Sequence, residues 1–274
     1  MFKKSLGILI NNLLLIQPLL LFVIFVFITL YIMQGKVISV PIQYVYLTLL
    51  FILTVALFSG WFYINKLCIE HYDVNLDSET IVRNSIADFK QFFVGVGKNF
   101  GKFLFGSVIF ILINFLFSYL TSFIAMKYYI IISQIAHSNP QDVFNIVISL
   151  TDREKINLLI FIIYQFVVAF VFLYWWILML GILQTEKENW FVSVWHSIKF
   201  IFVNLGISIC ILFAMLSLFF VINVLYNLFG SNVIIASVFS ILLLLYLNYF
   251  VILVLSFYNE KKRDNSNSGS ELVG

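Results

Sequence analysis

Side chains able to do chemistry are few and scattered in this 274-residue chain. His71, His137 and His196 are its only imidazoles, and Cys68 and Cys210 its only thiols. Their spacing matches no zinc or redox motif. Cys68 is expected in a loop and Cys210 inside an apolar run, so no disulfide is implied. His71 and His137 fall in loops expected on opposite sides of a membrane, which excludes one metal site built from all three histidines. His196 reads as a polar residue beside the apolar face of a helix. Carboxylates Glu70, Asp73, Asp77 and Glu79 cluster before the helix of the second loop, with His71 among them. Such carboxylates can hold a divalent cation, but a solvated loop that caps the next helix accounts for them. No P-loop or dinucleotide fingerprint occurs, and Gly95, Gly97, Gly101 and Gly106 read as sites of close helix packing or bending. HExxH, paired membrane aspartates and an intramembrane Ser/His pair are all missing. No enzymatic activity, catalytic residue, metal or cofactor is therefore expected.

The elements that must carry these residues follow from composition. Apolar residues make up 62% of the chain and charged residues 11%, against roughly half and a quarter in soluble domains. No soluble core of this size hides so much apolar surface, which excludes a soluble enzyme, a nucleic-acid-binding domain and a disordered scaffold. The net charge of +3 is too small for a nucleic-acid footprint. A spanning helix needs roughly 20 apolar residues. Six uncharged stretches qualify: residues 13–33, 44–64, 103–126, 158–183, 202–225 and 233–257. Pro18 lies about one turn into the first and is expected to kink it.

None of the six contains Asp, Glu, Lys, Arg or His. A charge at the centre of a spanning helix costs at least about 2.5 kcal/mol, and ion-coupled transport usually depends on such residues. An ion-driven transporter is disfavoured, although backbone carbonyls and hydroxyls can bind Na⁺. Several polar residues lie inside the spans, among them Gln17, Thr48, Thr54, Asn114, Gln165, Asn204, Asn223 and Asn248. Hydrogen bonds between helices are their expected role. The Trp175-Trp176 pair with Tyr174 reads as an anchor or a packing element, a lipid-facing groove being the sharper alternative.

Lys and Arg set the orientation. Twelve fall at the N-terminus, in the second and fourth loops and in the tail, against four on the other side (Lys36, Lys127, Arg153 and Lys155). Both termini should be cytoplasmic, in the inner membrane of the cell. Residues 1–259 form the six-helix domain and 260–274 a polar, disordered cytoplasmic tail.

Two cytoplasmic loops carry amphipathic patterns. Val82, Ile86, Phe89, Phe93 and Val96 fall on one face of a helix over 81–96, with Asp77 as its cap. Phe191, Trp195, Ile198 and Phe202 repeat that spacing over 186–200, after a Thr185/Glu188 capping box. Both should dock in the interface plane, with Trp190 and Trp195 at a suitable depth. Phe93-Val94-Gly95-Val96 matches Phe191-Val192-Ser193-Val194, and Ser5, Asn12 and Leu13 align more weakly with Ser197, Asn204 and Leu205. The expected fold is an all-α integral membrane protein: three tandem hairpins, each led by a cytoplasmic amphipathic helix. A second capping box, Thr151/Glu154, should start the fourth span.

The lead-in helices, the first-span run Leu13-Leu14-Leu15-Ile16-Gln17-Pro18-Leu19-Leu20, and the stretch 184–204 with Trp195-His196-Ser197 carry a resemblance. The chain resembles bacterial six-span membrane proteins of the YciC type and the related membrane domain attached to some glycerophosphodiester phosphodiesterases. The resemblance implies the six-span fold and no catalytic residue, since no phosphodiesterase domain is present. The expected function is non-enzymatic: membrane organisation, lipid handling or complex assembly, with membrane lipids and other membrane proteins as partners and no nucleic acid. The alternative is a transporter subunit that docks a separate cytoplasmic ATPase through the helices at 81–96 and 186–200. A third possibility is an enzyme acting on lipid at the inner interface, which needs an open cavity lined by His196 or the acidic loop.

Overall fold

The computed structural model describes residues 1–34, 40–72, 78–124, 150–185, 189–229 and 233–270, with single positions between 126 and 149. Among the described residues every regular element is helical. In chain order these are α1 (Phe2–Asn11), a 3₁₀ turn (Leu13–Ile16), α2 (Gln17–Gln34), α3 (Val40–His71), α4 (Ser78–Lys90), α5 (Phe92–Ile124), α6 (Asp152–Thr185), α7 (Trp190–Val203), α8 (Leu205–Phe229) and α9 (Val233–Ser270). Five of them (α3, α5, α6, α8 and α9) are long and apolar enough to cross a membrane, and α1 with α2 makes a sixth if that bent pair is taken as one span. This architecture is compatible with a multi-pass membrane protein.

The helices outrun the uncharged stretches. Four crossing segments have 30 residues or more, which corresponds to about 45 Å or longer against a hydrocarbon core of about 30 Å. Their ends therefore carry the charged residues: Lys66 and Glu70 on α3, Lys98 and Lys102 on α5, and Asp152, Arg153, Glu154 and Lys155 on α6. Cys68, expected in a loop, stands in the last turn of α3 and is buried. Large apolar side chains such as Phe213 and Phe220 on α8 face outward, as they do where lipid is the solvent.

The chain divides into two compact units. One is Met1–Ser107 with Trp175–Gly274, and the other is Val108–Tyr174. In the first, α1 packs along α9, α3 along α2, α4 and α9, and α8 along α9. Its core is aromatic where α2, α3, α5 and α6 meet. Phe58 contacts Phe22, Trp61 and Trp176, and Phe62 contacts Trp61, Phe103 and Trp176, all edge-on at 5.4–6.4 Å. Every described residue of α6 from Ile177 to Gln184 is buried, as is every residue of α9 from Phe250 to Tyr258. Helices wrapped on all sides in this way read as continuous apolar runs without a moment. Gly181 lets the two approach, since a Cβ there would collide with Leu255. In the second unit, Phe172 receives Phe110 and Phe117 edge-on at 6.5 and 5.1 Å, and Tyr128 stacks on Phe161 at 5.7 Å. The Thr151/Glu154 capping box is formed: Thr151 N–H and Oγ1 donate to Glu154 Oε2 at 3.0 and 2.9 Å, and Glu154 N–H returns to Thr151 Oγ1 at 3.4 Å.

The first crossing element departs from its expected form. The bend is not at Pro18 within one helix. It lies before it, where α1 meets the following helical segment at 84°. Pro18 occupies the first turn of α2, where an N–H would have no acceptor within α2 itself. The helix expected over 81–96 is also divided. Gln91 N–H bonds back to Asp88 C=O at 3.0 Å, α4 ends at Lys90, and Phe93 belongs to α5. Asn12 and Asn204 both stand at breaks. Each donates Nδ2–H to the carbonyl four residues earlier, Ile8 at 2.9 Å and Phe200 at 3.0 Å.

Candidate functional site

Two polar sites lie in the first unit. One is built where α3 and α4 meet. Cys68 and His71, three residues apart, share a face of α3, and on α4 Ile81, Asn84 and Asp88 repeat at helical spacing towards them. Asp88 has a buried side chain, and each of its oxygens has a partner. His71 Nδ1 lies 2.9 Å from Oδ1, and the Cys68 thiol donates to Oδ2 at 3.6 Å. Burial raises the Asp88 carboxyl above its ordinary value, and His71 opposes that shift. The order is thiol–carboxylate–imidazole. Nucleophilic catalysis needs the imidazole against the thiol to take its proton, so the geometry suits a cross-link between helices. The adjoining space is about 20 Å³, room for a single water.

The second site is an open cleft of about 290 Å³ between α7 and the end of α9. His196, Lys199 and Asn204 line it from one side and Tyr258 and Lys262 from the other, with Phe200 and Val203 between. It meets the condition of an open cavity lined by His196, one of the two named for chemistry at the inner interface. Of the acidic loop, Glu70 is on α3 beside Lys66 at 3.7 Å and Glu79 is on α4. Asp73 and Asp77 lie outside the described residues, as do His137 and Glu188 of the Thr185/Glu188 box. Among the described residues, no group of three or more His, Cys, Asp or Glu is placed to hold a metal ion.

The residues expected to dock in the interface sit as follows. Val82 and Ile86 of α4, Phe93 of α5, and Phe191 and Trp195 of α7 are exposed, Phe93 at 80% and Phe191 at 74%. Phe89 and Ile198 are half-buried. The opposite faces turn inward: Ser85 and Asp88 on α4, and Ser193 and Ser197 on α7, both at 0%. α1 shares the arrangement, with Ser5 and Ile8 buried and Leu6 and Ile10 exposed.

The polar residues expected to bridge helices behave otherwise. Asn114, Asn204 and Asn223 donate Nδ2–H to carbonyls of their own helices, Phe110, Phe200 and Phe219, and Thr48 and Thr54 close in the same way on Tyr44 and Leu50. Gln17 is exposed. Asn248 is fully buried, and its amide O and N have no partner among the described residues, as is true of Gln165 Nε2. Besides the Cys68–Asp88 contact, cross-helix bonds come from aromatic donors. Trp61 Nε1–H donates to Leu15 C=O at 3.0 Å, Trp175 Nε1–H to Ser197 Oγ at 3.0 Å, and the Tyr246 hydroxyl to Met215 C=O at 3.1 Å. Aromatic content marks these rings as apolar mass, and nothing local in the sequence marks their N–H and O–H groups as the connectors. Trp175 and Trp176 thus serve packing, with Trp176 against Phe58 and Phe62. Of the glycines, Gly95 lies against Tyr63 and Gly106 near Leu180, whereas Gly97 and Gly101 have nothing within 4 Å of an added Cβ.

Comparison with protein-family models, with curated proteins and with solved structures gives no match.

Proposed function

We propose that this chain is a multi-pass protein of the inner cell membrane with both termini in the cytoplasm. Its six spans form three tandem hairpins, led by α1, by α4 with the start of α5, and by α7. It acts without catalysis in membrane organisation, lipid handling or the assembly of a membrane complex, in keeping with its resemblance to YciC-type proteins. One observation carries this proposal: α4 and α7 bury Ser85, Asp88, Ser193 and Ser197 and expose Val82, Ile86, Phe191 and Trp195, and α1 exposes Leu6 and Ile10 while it buries Ser5 together with Ile8 and Leu9. A helix in water does the opposite. An interfacial helix with lipid on its outer side gains by exposing Phe191 and Trp195 to acyl chains.

The packing of α1 on α9, with Lys4 3.8 Å from Glu260 and Tyr249 donating to Phe2 C=O at 3.4 Å, supports placing both ends of the chain on one side. Apolar outward faces also favour a bilayer over a soluble ATPase as the immediate neighbour of these helices. An ATPase recovered with the protein in mild detergent would support the transporter-subunit alternative.

Nitroxide labels at Phe191→Cys and Trp195→Cys, in a Cys210→Ser background reconstituted in lipid vesicles, test the placement. Relaxation should respond to oxygen and little to a water-soluble nickel chelate. A response to the chelate equal to that of a label on Lys262→Cys would overturn the proposal.

A further inference from the structure

We draw no further inference here: the strongest candidate, the cluster of Cys68, His71 and Asp88 where α4 docks on α3, carries nothing new, because it belongs to the site already described and, among the described residues, no three such side chains are placed to hold a metal ion.

Discussion

Replacing Trp61 with Phe should loosen the turn between α1 and α2 more than any exposed substitution of similar size. Trp61 is 1% exposed, and its indole N–H reaches across from α3 to Leu15 C=O at 3.0 Å. That carbonyl belongs to the 3₁₀ turn, whose next donor three residues on is position 18. Pro18 has no N–H to give, so the indole stands in for the missing backbone donor. Trp61→Phe removes it and strands a buried acceptor, at about 1–3 kcal/mol. The smaller ring also leaves part of a packed site empty, for about 1 kcal/mol more. A total near 2–4 kcal/mol should be measurable by reversible denaturation in mixed detergent micelles, with faster amide exchange over residues 13–16. Pro18→Ala restores a backbone donor at the required position, so Trp61→Phe should cost at least 1 kcal/mol less in that background. Strict additivity of the two substitutions, or unchanged exchange over 13–16 in Trp61→Phe, would refute the donor-replacement reasoning.

Four further outcomes are expected. Asp88 is held above its ordinary value of 3.8 by burial, so the folded state binds its proton more tightly than the unfolded chain. Its contribution to stability is full below about pH 4 and is lost as pH rises through the higher folded value. Asp88→Asn should flatten the stability profile over that window and cost little near neutrality, since His71 is half exposed. A parent profile that rises with pH there contradicts this. Gly95→Val should destabilise by about 1–3 kcal/mol because a Cβ meets Tyr63 on α3. Gly97→Ala, in open space two residues on, should stabilise by about 0.5–1 kcal/mol through helix propensity. The same micelle denaturation reads both, and equal effects would remove the packing distinction. Tyr246→Phe should cost about 1 kcal/mol by freeing Met215 C=O, with α8 and α9 more labile to exchange.

The cost of placing charge in hydrocarbon acts on every residue separately, so the apolar segments and the positions of the charged residues were legible from order alone. The Thr151/Glu154 cap was legible for the same reason, because both partners lie within one turn. The length of the crossing helices was not. Helices continue past the hydrocarbon as long as backbone bonds and i,i+4 pairs such as Lys66–Glu70 sustain them.

Outward display of Val82, Phe93, Phe191 and Trp195 followed from periodicity, but the content of the inward faces did not. Periodicity shows that two faces differ, and packing decides which one meets protein. That is how Ser193 and Ser197 come to be buried and the apolar face is left exposed. Asn114, Asn204 and Asn223 are short enough to reach their own helix four residues back, so most bridges fall to longer aromatic donors whose partners lie 46, 22 and 31 positions away. Lys199 and Lys262 are likewise 63 positions apart, and Cys68 and Asp88 are 20 apart. One-dimensional order determined which segments are long and apolar enough to cross a membrane and where the charges fall between them. Only the tertiary structure decided which of those charges face one another, because helix packing brings together residues that no local rule relates.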